Sequence, residues 1–121
     1  MKILIVDDSS TMRRIIIKVL SGLGFTDVVE AADGAKAVKA AEDTQITLIL
    51  MDWNMPELAG IDAVRQIRAK GSKTPIVMVT TEAEKRRVVE AIQAGINDYL
   101  VKPFTPEQLQ EKIRKFAGGG K

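Results

Sequence analysis

Short apolar runs recur along the chain at positions 3–6, 28–29, 48–51, 76–79 and 99–101. Each has the length of a strand, and each is continuous or β-branched rather than alternating, the pattern of strands covered on both faces. Between these runs the apolar positions take helical spacing. Met12, Ile15, Ile16, Val19, Leu20 and Leu23 fall at i, i+3, i+4, i+7, i+8 and i+11, and Gly24 is placed to end that helix. An Ala-rich segment over 34–42 follows a capping Asp33, a third segment carries Ile61, Val64 and Ile67, and a fourth carries Val88, Val89 and Ile92 before Gly95. The last opens with Thr105-Pro106-Glu107-Gln108, a capping box with proline at the first helical position, and sets Leu109, Ile113 and Phe116 on one face.

Five strand-helix units in unbroken succession predict an α/β fold: a doubly wound, five-stranded parallel sheet, (βα)5, with helices on both faces and right-handed crossovers. Residues 1–121 read as a single domain without internal repeat, linker or effector domain. The tail Gly118-Gly119-Gly120-Lys121 is expected to be a frayed end, not a phosphate loop, because no strand, helix or Ser/Thr accompanies it.

Composition narrows the chemistry. The chain has no cysteine and no histidine, which excludes Cys/His zinc sites, disulfides, thiol chemistry and any mechanism needing an imidazole base of its own. Carboxylates, hydroxyls and amines remain. The apolar start runs straight into Asp7-Asp8, far short of a signal peptide or a membrane span, so a cytoplasmic protein without membrane insertion is expected. Lys and Arg number 18 against 16 Asp and Glu, spread over predicted helices with few aromatics between them, which argues against nucleic acid as a partner.

In open parallel sheets ligands sit beyond the carboxyl ends of the strands, where the strand order reverses. Those positions hold Asp7-Asp8 after the first strand, Asp52 after the third, Thr80-Thr81 after the fourth and Lys102-Pro103 after the fifth. Taken singly, each has an ordinary reading: a turn or helix cap for the aspartates, a β-branched strand end for Thr80, a surface lysine for Lys102. Together on one sheet edge they form a chemical constellation. Three converging carboxylates repel one another, and one lysine is too few to neutralise them. An all-oxygen anionic pocket suits a hard divalent ion such as Mg²⁺, and metal, lysine and hydroxyl together are what hold a phosphoryl group in transfer. With no His or Cys, the nucleophile must be a carboxylate or hydroxyl, and Asp52 on the middle strand is the natural candidate.

The set Asp7-Asp8, Asp52, Thr80 and Lys102-Pro103 resembles the receiver domains of two-component response regulators over residues 2–116. Met51-Asp52-Trp53-Asn54-Met55-Pro56 with Gly60, and Val101-Lys102-Pro103-Phe104-Thr105, are most similar to the stand-alone chemotaxis regulators of that family. The resemblance implies a flavodoxin-like strand order, 2-1-3-4-5, and a cis bond before Pro103. It implies Asp52 as phosphoacceptor from a histidine kinase of the chemotaxis type. It further implies Mg²⁺ held by Asp8, Asp52 and the Asn54 carbonyl, with Asp7 acting through water. Thr80 and Lys102 would contact the phosphoryl group, Tyr99 would be the switch aromatic, and Asn54 and Glu82 would set the phosphate lifetime. Trp53 would be sheet-edge packing or a neighbour of the metal. The protein would catalyse its own phosphorylation and dephosphorylation without being an enzyme acting on another substrate.

Setting aside Lys102 and the three site aspartates leaves 17 basic against 13 acidic residues. Lys85-Arg86-Arg87 on the fourth predicted helix and Lys112, Arg114 and Lys115 on the fifth would flank Tyr99, either as solvated faces or as a basic surface for an acidic peptide. In the family this face meets the kinase and the flagellar motor switch protein; a phosphatase is a further partner, and a monomer is expected. A receiver serving outside motility, as a phosphorelay carrier or kinase regulator, needs the same site. An aspartyl phosphatase would need a second acid where Asn54 stands, and a flavodoxin-like flavin site would be repelled by Asp7-Asp8.

Overall fold

A computed structural model describes residues 1–55 and 57–117, apart from the side chains of Glu82 and Ala117. The lifetime role expected of the Glu82 side chain, the Pro56 of the motif and the expected frayed tail at 118–121 lie outside the described residues. Five parallel strands, β1 (Lys2–Val6), β2 (Val28–Ala31), β3 (Ile46–Asp52), β4 (Ile76–Thr80) and β5 (Asp98–Val101), form one sheet in the order β2-β1-β3-β4-β5. The sheet is flanked by α1 (Ser10–Gly22), α2 (Gly34–Ala40), α3 (Gly60–Ala69), α4 (Glu82–Lys85), α5 (Val88–Ala94) and α6 (Pro106–Ala117).

The continuous apolar runs are explained by the two covered faces. Leu4, Val6, Ile49, Met51, Ile76 and Met78 belong to the core that includes Ala37, Val64, Ile67 and Ala91 of α2, α3 and α5. Their neighbours Ile3, Ile5, Leu48, Leu50 and Val77 belong to the core of α1 and α6, with Ile16, Leu20, Leu109 and Ile113. Side chains alternate across each strand, and on β1, β3 and β4 nearly every position on both sides is buried. The caps read from sequence are formed: Asp33 accepts from the Lys36 N–H, the Thr105 hydroxyl accepts from Gln108 N–H, and Gln108 Oε1 accepts from Thr105 N–H. Gly95 takes φ +118°, the left-handed conformation that ends α5.

The fourth crossover departs from the expected single helix. Thr81 caps α4 through a full capping box with Glu84, and Arg87 N–H closes back on the Glu84 carbonyl at 2.7 Å before α5 begins. Glu82 to Arg87 offers no apolar residue larger than Ala83, so no buried stripe carries the helix across this stretch. Two apolar assignments also change. In α5 only Ala91 is buried, while Val89 and Ile92 are 65% and 56% exposed. In α1, Ile15 lies outside the core at 49% exposure. Among the described residues no helix is long and apolar enough to cross a membrane.

Candidate functional site

The chain leaves β1 toward β2 on one side and later crosses to β3 on the other, so the order reverses between β1 and β3. Their carboxyl ends carry Asp7 and Asp52. Asp7, Asp8 and Asp52 each offer a carboxylate oxygen within 4.8 Å of the other two. Asp7 and Asp52 are buried and Asp8 is exposed, so the cluster opens to solvent on one side. Lys102, carried by the loop after β5, places Nζ 2.9 Å from Asp52 Oδ1 and 3.4 Å from Asp7 Oδ2. The Lys102–Pro103 bond is cis. Lys102 N–H also donates to the Thr80 carbonyl at 2.6 Å, which ties this loop to the end of β4.

The electrostatics follow from burial. Removal from water pushes the Asp52 carboxyl up to about 6; Lys102 opposes that rise, and Asp7 and Asp8 add to it. Burial draws the Lys102 ammonium down, but Asp52 and Asp7 outweigh it and hold its pKa above the ordinary lysine value. The donor set fits a hard divalent cation: oxygen ligands of negative charge, close together, with one open side and a single lysine as counter-charge. Thr80 is fully buried, and its hydroxyl has no hydrogen-bond partner among the described residues. A buried hydroxyl left unpaired is costly.

Two residues of the site's rim escaped the sequence reading. Arg13 donates to the Asp7 carbonyl at 2.6 Å and pairs with Glu30 at 2.8 Å, fixing the first turn of α1 over the acidic pair. Glu84 accepts from Thr81 N–H through one carboxylate oxygen and from the Asn54 side-chain amide through the other. The T-x-x-E pattern of Thr81 to Glu84 is a legible signal of the first contact; nothing in the sequence signals the second. Trp53 is buried among the residues of the α2, α3 and α5 core, with the Arg87 guanidinium 5.0 Å from its ring centroid. Gly60 N–H donates to the Trp53 carbonyl, and a Cβ on Gly60 would stand 2.0 Å from the Asp52 carbonyl oxygen, so only glycine lets α3 start this close to the site.

The expected basic face is assembled only in part. Lys85, Tyr99, Lys102, Gln108 and Lys112 line a groove of about 620 Å³ between α4, β5 and α6. Tyr99 is half-buried, with Lys112 Nζ 5.6 Å from its ring centroid. Asp98, overlooked in the sequence, pairs with Lys112 at 3.0 Å and Lys115 at 2.5 Å, so these two lysines carry less free charge than their number suggests. Arg86 and Arg87 stand between two helices rather than along one, and Arg87 is turned onto Trp53 and Glu90. Arg114 is exposed on α6 outside the groove lining.

Comparison with known proteins shows the family and the fold. Residues 3–114 match the model of the response regulator receiver domain family. The chain is 50% identical to Chemotaxis protein CheY1 of Helicobacter pylori over 98% of both chains. It is likewise 50% identical to Chemotaxis protein CheY of Pseudomonas aeruginosa, over 95% of this chain and 94% of that one. Among solved structures it is similar to the receiver domain of the sensor histidine kinase PA1611 of Pseudomonas aeruginosa, which has a magnesium ion coordinated in its active-site cleft. That match has a TM-score of 0.87 and 38% identity, and covers 98% of each chain.

Proposed function

From the premise that this chain belongs to the response regulator receiver domain family, we propose that Asp52 accepts a phosphoryl group from a histidine kinase with Mg²⁺ bound, and that the modification switches the surface of α4, α5, β5 and α6. The observation that carries the reading is the juxtaposition at the β1/β3 crevice of three carboxylates within 4.8 Å with the Lys102 ammonium 2.9 Å from Asp52.

Asp7, Asp8 and Asp52 would hold the ion, with Asn54 supplying a backbone carbonyl from the same loop. Bound Mg²⁺ supplies charge neutralisation for the phosphoryl oxygens beside the acidic cluster. With a pKa of about 6, Asp52 is largely ionised at neutral pH and is the nucleophile. Its carboxylate oxygen forms a bond to phosphorus as the donor's P–N bond breaks, and the departing imidazole keeps the electron pair and takes up a proton from solvent. Lys102, 2.9 Å from Asp52, pairs with one phosphoryl oxygen, and the Thr80 hydroxyl, which has no hydrogen-bond partner among the described residues, donates to another. Moving that hydroxyl draws on the end of β4, the strand whose Met78 pairs with Tyr99, and so couples the new charge to the groove. Hydrolysis of the acyl phosphate at the same site returns the surface to rest, and Asn54 and Glu82 set its rate.

The partner proposed for the groove is the flagellar motor switch. The chemotaxis names of relatives half identical over nearly the whole chain support it. A phosphorelay role is the second reading, favoured by the likeness to a receiver domain of a sensor kinase. Transfer of ³²P from an autophosphorylated chemotaxis kinase to the protein and to Asp52→Asn tests the reading. Label on the parent chain and none on the variant is expected; equal label on both would move the nucleophile elsewhere. Phosphorylation-dependent binding to purified motor switch protein separates the two partners.

A further inference from the structure

The contact between Glu84 and Asn54 joins two segments far apart in sequence. Asn54 lies two residues beyond Asp52 on the loop leaving β3, and Glu84 lies in the α4 turn that follows β4. The two carboxylate oxygens of Glu84 are both used: one accepts from Thr81 N–H at 2.9 Å as half of the capping box, the other from the Asn54 amide. A second contact, Arg87 over the Trp53 ring at 5.0 Å, holds the same two segments together independently.

Resting on the reading of Asp52 as phosphoacceptor, we propose that Glu84 is a positioning residue for dephosphorylation, acting by fixing which end of the Asn54 amide is free at the mouth of the site. An ionised carboxylate only accepts hydrogen bonds, so Asn54 must turn its NH₂ toward Glu84. The side-chain oxygen of Asn54, Oδ1, is then the end left uncommitted among the described residues. A water attacking the acyl phosphate needs an acceptor to orient it, whereas an NH₂ turned to the site would donate to the phosphoryl oxygens and stabilise the phosphorylated state. Glu84 thereby favours hydrolysis over retention. The same carboxylate sits on the turn that follows Thr80, so any shift of the β4 end on activation reaches Asn54 through it.

Glu84→Gln separates this role from a structural one. The glutamine carbonyl can still accept from Thr81 N–H and keep the capping box, but its NH₂ then faces Asn54, and the asparagine must reverse. The measurement is the decay of acyl phosphate after labelling with acetyl phosphate and Mg²⁺ and removal of the donor. It is made on the parent, Glu84→Gln, Asn54→Ala and the double variant, with thermal melting of each. Decay of Glu84→Gln slower by a factor of about 2 to 12, the scale of one net hydrogen bond, is expected at unchanged melting temperature. In the Asn54→Ala background the same substitution should have no further effect. Parent-like decay in Glu84→Gln, or slowing that persists without Asn54, overturns the inference and leaves the phosphoacceptor reading intact. Failure of the parent to take up any phosphoryl group overturns both.

Discussion

Asp52 is an acid held in the wrong solvent for its charge, and folding should register this. Its carboxyl titrates near 3.8 when exposed and at about 6 in the folded protein, chiefly because burial penalises the anion. Between those values the folded state binds more protons than the unfolded one, so stability falls as pH rises from about 4 to about 6 and stays lowered above. At 1.36 kcal/mol per pKa unit, the ionised carboxylate costs the folded protein about 3 kcal/mol at pH 8. Asp52→Asn removes that charge. In EDTA the variant should therefore be more stable than the parent by about 3 kcal/mol at pH 8, worth roughly 10 °C in melting temperature for a chain of this size. At pH 4 the difference should shrink to about 0.5 kcal/mol, because the parent's carboxyl is protonated there in the folded state. Urea unfolding at the two pH values, supported by calorimetry, measures both. A variant no more stable than its parent at pH 8, or equally shifted at both pH values, refutes the assignment of burial as the dominant influence on Asp52.

Three further outcomes follow from individual contacts. Lys102→Ala removes the cation 2.9 Å from Asp52, so Mg²⁺ binding, followed by Trp53 fluorescence, should be intact or tighter while phosphorylation-dependent target binding is impaired; loss of metal binding contradicts the charge argument. Asp98→Asn should cost about 1 to 2 kcal/mol at pH 7, after allowing for solvent around Lys115. Although burial alone raises the Asp98 carboxyl, Lys115 and Lys112 hold its pKa below 3.8, so that deficit should fade in urea titrations as pH falls below 3.8. Gly60→Ala should lower stability by more than about 2 kcal/mol, since the new methyl would meet the Asp52 carbonyl, and a parent-like unfolding midpoint would show that α3 can withdraw without cost.

The inner strands β1, β3 and β4 were legible because a parallel sheet with both faces covered writes them as near-continuous apolar runs, and the first and last helices because their stripes and caps agree. The fourth crossover was not. Val88, Val89 and Ile92 have helical spacing, but in α5 only Ala91 is buried, and the charged stretch before them has no apolar residue larger than Ala83 to bind a continuous helix to the sheet. Ile15 fits the α1 stripe in sequence and lies at its exposed edge in space. At the site, Asp7, Asp8, Asp52, Thr80 and Lys102 could be collected from sequence because the fold places every strand's carboxyl end on one edge. What joins one loop to the next could not. Glu84 meets Asn54, and Asp98 meets Lys112 and Lys115, across separations that no local pattern encodes. Asp98 in particular turns an apparent cluster of positive charge into ion pairs with Lys112 and Lys115.

The central claim is that the β1/β3 crevice is a metal-dependent phosphoacceptor site. Intact mass after incubation with acetyl phosphate, in Mg²⁺ and again in EDTA, tests it most directly. One added phosphoryl group in Mg²⁺ and none in EDTA is the predicted result. No adduct in either, with phosphate release no faster than in a protein-free control, would contradict it and leave a binding module that keeps the acidic cluster without using it.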